Sequence, residues 1–253
     1  MKTQWSLLPS LVLGACLATS AHAQLVRISA GDFTPEASVI TFDGGNMFNP
    51  TYDVVTATLG TVTVSFGSNF AGQSLIGGFP ATLSGNPSGP LTLLNDANVF
   101  ITNDGSNPSS PVLSGSPTFN GPISVLFSKP VAAVGLDGGY FDAIGGTSIE
   151  AFGANGASLG IVKNAQLGIE FFGLADASGD NVIAGISFYI TGDEPAGFAI
   201  DNLTFGSAGE LTNPPDNGGM TPIPEPSTYA AFASLGLILL AVRRMRRQAN
   251  SSN

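Results

Sequence analysis

The chain has 253 residues, a formal net charge of −10 and a hydrophobic fraction of 43%, values that suit one folded domain with a sizeable core. All of its acidic residues lie between positions 24 and 226, where only Arg27, Lys129 and Lys163 are basic. This imbalance argues against nucleic acid as a partner, because neutralising a phosphate backbone needs clustered cations.

The first 23 residues have the features of a secretory signal peptide. Lys2 gives a positive start, an apolar stretch runs from Leu7 to Leu17, and Ala21-His22-Ala23 places small residues before Gln24. We expect cleavage between Ala23 and Gln24 on export. The residues before Cys16 also resemble a lipoprotein signal box, so lipidation of Cys16 is the alternative.

Removal of this segment has a chemical consequence, because His22, Cys16 and Trp5 are the only residues of their types in the chain. The mature protein would then have no Ser-His or Cys-His pair, no ordinary zinc site and no disulfide. A pair of carboxylates, as in glycoside hydrolysis, is the remaining route to catalysis. No acidic residue stands in a recognisable catalytic pattern, so we predict that the protein is not an enzyme.

Residues 24–206 are predicted to form an all-β domain, an antiparallel β-sandwich or jelly roll. Short runs rich in Val, Ile, Thr and Phe recur between turn-forming residues, and no helical apolar stripe interrupts them. In Thr61 to Phe66 the alternation places Val62, Val64 and Phe66 towards the core. The predicted strands are Ser38–Phe42, Thr61–Phe66, Asn98–Thr102, Ile123–Phe127, Val131–Leu136, Ser148–Phe152, Ile169–Leu174, Val182–Thr191 and Phe198–Phe205.

Four segments are predicted as connections. Asn103 to Pro117 is expected to be a long loop, and long loops at the end of a sandwich often carry binding surfaces. Asp137 to Tyr140 is predicted as a turn with an aromatic residue beside it, and Asp176 to Asn181 as a hairpin turn. Residues 207–221 are predicted to be a flexible linker.

The C-terminus combines three features within its last thirty residues. Pro224, Glu225 and Pro226 precede an apolar run from Tyr229 to Val242, which we predict to be a transmembrane helix at about 228–242. A polar end, 249–253, closes the chain. A basic cluster at one end of an apolar helix stays on the cytoplasmic side, which would place the preceding domain outside. The orienting cluster is Arg243, Arg244, Arg246 and Arg247.

This order of triplet, helix and arginines resembles the PEP-CTERM sorting signal of Gram-negative, exopolysaccharide-producing bacteria, here spanning residues 222–248. The resemblance implies recognition of Pro224, Glu225 and Pro226 by an exosortase, a membrane transpeptidase-like enzyme. The protein would be anchored transiently in the inner membrane and then passed to the outer envelope or extracellular matrix. The same tail is also known as an ice-binding protein C-terminal domain, and no ice binding is inferred from it.

The ectodomain resembles, more weakly, sandwich domains of other PEP-CTERM proteins. Ser38 to Asp43 and Gly197 to Phe205 resemble the opening and closing strands of these domains, and Val131 to Asp137 and Ser148 to Gly153 are similar to their middle strands. Some of these domains resemble carbohydrate-binding jelly rolls, in which an acid from the first and last strands binds a structural calcium. The resemblance implies Asp43 and Asp201 as calcium ligands, helped by carbonyls of residues 44–46. Alternatively, Asp43 opens a turn and Asp201 meets backbone amides.

We therefore expect an exported envelope protein with a structural or adhesive role in an extracellular polysaccharide matrix. A calcium-dependent carbohydrate-binding module is the first alternative, and a carboxylate-dependent, glycan-active enzyme is the second. Sugar binding usually needs an aromatic platform, which Tyr52, Tyr140, Tyr189 or a phenylalanine would have to provide.

Overall fold

A computed structural model describes residues 25–43, 48–94, 98–105 and 111–212. Within these ranges the chain is all-β, as the sequence predicts. Its only helical elements there are two 3₁₀ turns, Ala30–Asp32 and Ala208–Glu210. No helix among the described residues is long and apolar enough to cross a membrane.

Two large antiparallel sheets make up the architecture. The strands of the front sheet are β1 (Leu25–Ile28), β2 (Ser38–Ile40), β7 (Val99–Thr102), β8 (Val112–Gly115), β10 (Ala133–Phe141), β13 (Gly168–Asp176) and β15 (Ala199–Gly206). They lie in the order β1-β13-β10-β15-β8-β7, and β2 also pairs with β15.

The strands of the back sheet are β3 (Thr51–Thr56), β4 (Gly60–Gly67), β9 (Ile123–Val131), β11 (Thr147–Phe152), β12 (Ser158–Lys163) and β14 (Ile183–Ile190). They lie in the order β12-β11-β14-β9-β4-β3. A small hairpin of β5 (Ser74–Ile76) and β6 (Thr82–Ser84) lies in the connection between β4 and β7.

The two sheets share one apolar core, which makes the arrangement sandwich-like. Val62, Val64 and Phe66 are buried in it, as the alternation predicts. Rings from opposite sheets meet inside: the centroids of Phe127 and Phe205 lie 5.2 Å apart. Because alternate residues of each strand face this core, the others form the outer faces of the sandwich.

Each of the nine predicted strands overlaps an observed one, whereas β1, β3, β5, β6, β8 and β12 were not predicted. The predicted loop from Asn103 to Pro117 contains β8, so that prediction is wrong in part. Its Leu113 is fully buried in the core and pairs with Ile200 of β15. Burial of this side chain and pairing with neighbouring strands outweigh the turn-forming residues around it.

The two predicted turns also differ from the structure. Asp137 to Tyr140 lies within β10, where Asp137 pairs with Phe171 of β13 on one side and Asp201 of β15 on the other. Asp176 to Asn181 does turn, but it connects β13 of the front sheet to β14 of the back sheet, so it is not a hairpin.

The beginning of the predicted linker belongs to the folded part of the chain. The 3₁₀ turn Ala208–Glu210 places Leu211, 5% exposed, against Val26 and Ile28 on the outer face of the front sheet. Leu211 also forms a β-bridge with Phe33. Buried apolar surface therefore extends the fold to at least Thr212, and residues 213–221 lie outside the described ranges.

Candidate functional site

A cleft with a volume of about 300 Å³ opens beside the end of β10. Four connections meet there: the chain after β7, the chain between β8 and β9, the loop after β10 and the loop before β15. Its lining residues are Asp104, Phe119, Gly139, Tyr140, Asp142, Ala196, Gly197 and Phe198. We call it the Tyr140 cleft.

Tyr140 supplies an aromatic surface at this cleft. Its side chain is 49% exposed, which is unusual for a large ring in a protein whose phenylalanines are mostly core. The ring packs against the backbone of Gly168, where an added Cβ would lie 3.6 Å from Tyr140 Cζ. Gly168 also has a positive φ of 78°, so its lack of a side chain serves both the backbone and the ring.

Asp104 and Asp142 add two carboxylates to the same cleft. Asp142 is exposed and Asp104 is half-buried. None of the three cationic residues in the described chain, Arg27, Lys129 and Lys163, is part of the lining. The cleft therefore presents hydrogen-bond acceptors and negative charge beside an aromatic ring.

Glu194 joins two walls of the cleft. Its side chain is 3% exposed, and its carboxylate accepts hydrogen bonds from the backbone N–H groups of Asp142, at 3.0 Å, and Ala143, at 3.2 Å. Burial raises the pKa of Glu194, and these N–H donors oppose the rise. Glu194 is thus a positioning residue that joins the loop after β10 to the loop before β15.

A close backbone contact fixes the remaining wall. The N–H of Phe198 donates to the carbonyl of Phe119 at 2.6 Å. A Cβ on Gly197 would lie only 2.0 Å from that carbonyl oxygen, and Gly197 has a φ of 78°. Only glycine permits this approach, so the sequence at this position shapes the cleft.

The arrangement is chemically suited to a polyhydroxylated ligand. Carboxylates accept hydrogen bonds from hydroxyl groups, and an aromatic face packs against the C–H surface of a ring. An anionic ligand would be repelled by Asp104 and Asp142.

The prediction that the protein is not an enzyme stays a prediction.

The predicted calcium ligands occupy different settings. Asp201, 2% exposed, pairs in register with Asp137 of β10, and its Oδ1 accepts the N–H of Asn202 at 2.8 Å. The Asn202 amide in turn donates to Asp137 Oδ2 at 2.9 Å. Asp43 is exposed, and its charge contributes to the raised pKa of Tyr52, a rise caused mainly by burial of the phenol.

The described residues contain no group of three acidic, histidine or cysteine side chains that could hold a metal. The contact between Asp201 and a backbone amide is the one expected from the alternative without calcium. The carbonyls of residues 44–46 lie outside the described ranges, so the calcium site stays a prediction.

The processing and sorting residues also lie outside the described ranges. These are the cleavage site Ala23 and Gln24, the triplet Pro224, Glu225 and Pro226, and the arginines Arg243, Arg244, Arg246 and Arg247. The transmembrane helix predicted at about 228–242 lies there too.

Sequence reasoning identified only parts of the Tyr140 cleft. It considered Tyr140 as an aromatic platform, and Asp104 falls in the predicted long loop that was expected to carry a binding surface. Asp142 and Glu194 were missed. A possible signal is that each follows an apolar strand directly or within a few residues, where polar side chains gather at the end of a sandwich.

The chain matches no protein-family profile and no curated protein. One similar solved structure is the enzymatically active domain of tailspike protein 4 of bacteriophage CBA120. The likeness covers 72% of this chain and 21% of that chain, with 15% sequence identity and a TM-score of 0.25. This chain thus spans about a fifth of that protein, and so low a TM-score carries no argument about fold or function.

Proposed function

We propose that this protein is an exported envelope protein, sorted by an exosortase-type system, that serves as a structural or adhesive component of an extracellular polysaccharide matrix. Its ectodomain would adhere to glycan at the Tyr140 cleft. The observation that carries the proposal is the exposed Tyr140 ring beside Asp104 and Asp142, with no cationic side chain in the lining. We also propose that the two-sheet fold of the ectodomain is a jelly roll.

The charge distribution narrows the class of glycan. The excess of acidic residues in the ectodomain disfavours uronate-rich or sulfated polymers, since like charges repel at close range. Polymers of neutral sugars or of amino sugars remain as candidate ligands. The aromatic face would pack against a sugar ring, while the carboxylates accept hydrogen bonds from its hydroxyl or amino groups.

The cleft can be tested with a local fluorescent reporter, because Trp5 is the only tryptophan of the chain. In a Trp5→Phe background, Tyr140→Trp keeps an aromatic ring in the cleft and makes it the sole tryptophan, which can be excited selectively over the tyrosines. The full chain, purified in detergent, is titrated with chitohexaose, its deacetylated hexamer and a galacturonic acid hexamer. We expect a saturable emission change with one of the first two, weakened about tenfold by Asp142→Asn.

Phe48→Trp in the same background is the matched control. Phe48 is 65% exposed and does not line the cleft, so its reporter should give no saturable change. Silence of the Tyr140→Trp reporter with every oligosaccharide would refute glycan binding at this cleft.

The sorting signal supports the other half of the proposal. The paired prolines at 224 and 226 disfavour helix, so the triplet would stay extended before the apolar segment. Changing Pro224, Glu225 and Pro226 to alanine should give a protein that is exported but accumulates unprocessed in the inner membrane. Pro222→Ala is the control and should be processed normally. Normal release of the triple variant would show that the triplet is only a linker.

A calcium-dependent carbohydrate-binding module is the alternative. It is favoured by the pairing of Asp137 with Asp201, which brings two carboxylates to adjacent strands. Calcium takes six to eight oxygen ligands, so Asp43 and carbonyls from the following turn would have to complete the site.

A further inference from the structure

The outer face of the back sheet is only partly covered by the rest of the chain. Residues 68–94 leave β4 and fold back over this face, where Phe70 and Leu91 form a buried apolar cluster with Phe152 and Ala184. Farther along the same face, Glu150 of β11 and Tyr189 of β14 alternate with core residues and point outward. They remain only half-buried.

Two clefts lie between the 68–94 segment and these strands. One, of about 470 Å³, is lined by Pro80, Thr82, Leu83, Tyr189, Ile190, Thr191 and Gly192. The other, of about 390 Å³, is lined by Asn86, Pro87, Glu150, Asn155, Gly156, Ala157 and Ser158. Both volumes fall within the roughly 300–1,000 Å³ typical of ligand sites.

A hydrogen bond joins the two clefts. The hydroxyl of Tyr189, in the first cleft, donates to Glu150 Oε2, in the second, at 2.8 Å. The Ser158 hydroxyl donates to Glu150 Oε1 at 2.6 Å, so both carboxylate oxygens are held in place. We call the two clefts together the Tyr189 groove.

The walls of the groove are anchored as well. The Thr82 hydroxyl donates to the carbonyl of Ile190, which ties β6 to the end of β14. At the other end, the N–H of Leu91 donates to the carbonyl of Ala154 at 2.9 Å. These contacts fix the 68–94 segment at both ends of the groove, so its shape does not depend on a ligand.

We propose that the Tyr189 groove is a second glycan-binding site, for a neutral or N-acetylated oligosaccharide chain. The sequence offered Tyr189 as one candidate aromatic platform but assigned no groove and no second site. Its lining contains hydroxyl, amide and carboxylate groups beside an aromatic ring and two prolines, and no cationic side chain. Glu150 would repel an anionic polymer. Two adjoining clefts suit a chain of sugars better than a single sugar.

A further function follows if the Tyr140 cleft also binds glycan, and this step rests on the proposed function. The Tyr140 cleft lies at one end of the sandwich, whereas the groove lies on the outer face of the back sheet. One ectodomain would then hold two polysaccharide strands and cross-link the matrix. Linking two sites in one molecule raises avidity without any new contact.

The groove is tested by a second reporter, Leu83→Trp, in the Trp5→Phe background. Leu83 lines the groove but takes no part in the Tyr189, Glu150 and Ser158 hydrogen bonds. We expect a saturable emission change on titrating the full chain with chitohexaose, and none with the galacturonic acid hexamer. Glu150→Gln should weaken binding about tenfold, because it removes a charged acceptor.

Asp53→Asn is the matched control. Asp53 is also an outward-facing acid of the back sheet and also accepts a hydroxyl hydrogen bond, from Thr63 at 2.7 Å, but it lies outside the groove. It should leave the titration unchanged. Asn86→Ala, at an exposed lining position, provides a second variant should Glu150→Gln fail to fold, and it should weaken binding about fivefold.

Calorimetry separates this inference from the proposed function. With an oligosaccharide to which both reporters respond, the full chain should bind about two hexasaccharides. Glu150→Gln should weaken one of these two binding events about tenfold, and Tyr140→Ala should weaken the other. If the Leu83→Trp reporter is silent while the Tyr140→Trp reporter responds, the groove is refuted and the proposed function stands. If the groove reporter alone responds, glycan binding in the groove is supported and glycan binding at the Tyr140 cleft is refuted. Equal weakening by Asp53→Asn and Glu150→Gln would also overturn the groove.

Discussion

Replacing Phe188 with alanine should remove much of the contact between the two sheets. Phe188 belongs to β14 of the back sheet and is 1% exposed. Its ring centroid lies 4.7 Å from that of Phe198 and 5.2 Å from that of Phe172, both in edge-to-face geometry. Both partners belong to the front half of the sandwich.

The expected cost follows from this geometry. Truncating a buried phenylalanine to alanine costs about 3–5 kcal/mol, because transfer energy is lost and a cavity remains. Edge-to-face pairs contribute about 0.5–1.5 kcal/mol each beyond burial, which places Phe188 in the upper part of that range. We expect a loss of about 4–5 kcal/mol, a large share of the roughly 5–15 kcal/mol that stabilises a typical domain.

Urea unfolding of the full chain in detergent, followed by far-ultraviolet circular dichroism, measures this loss. Phe79→Ala is the matched control, because Phe79 is 73% exposed and its truncation should change the free energy of unfolding by less than about 0.5 kcal/mol. The midpoint should shift for Phe188→Ala without a change in the slope. A loss below about 1.5 kcal/mol would refute the inference that these rings join the sheets.

Three further predictions concern charge. Burial raises the pKa of Glu194, so the wild-type free energy of unfolding should fall as pH rises from about 4.5 through the raised value, whereas Glu194→Gln should lack this component. Parallel pH profiles of melting temperature for the two proteins would contradict this. If Asp43 and Asp201 bind calcium, the melting temperature should be higher in calcium than in chelator, and Asp201→Asn should lose most of the difference while Asp53→Asn keeps it. Identical melting temperatures of the wild type in calcium and in chelator would refute the proposed calcium site. Replacing the four tail arginines with glutamine should impair membrane retention or processing, because the inward bias is lost. Unchanged localisation would refute the proposed topology.

The local sequence determined nine of the fifteen strands of the described residues and, in those with clear alternation, which side chains face the core. In β4 the burial of Val62, Val64 and Phe66 could be predicted from the sequence alone, because a strand places successive side chains on opposite faces. The same reasoning missed β8, whose pattern is too short to stand out from its surroundings. That strand exists because Leu113 enters a core built by distant residues.

The tertiary structure alone decided which strands pair and which side chains meet. The sequence predicted that β13 and β14 form a hairpin, yet they belong to different sheets. Backbone hydrogen bonds carry no side-chain identity, so partner choice follows from burying both apolar faces at once. The same long-range packing brings Asp104 to the cleft that contains Asp142, 38 positions further along the chain. It also brings Glu150 to Tyr189, 39 positions away. No local pattern encodes such neighbours, because their proximity exists only after the sheets have packed.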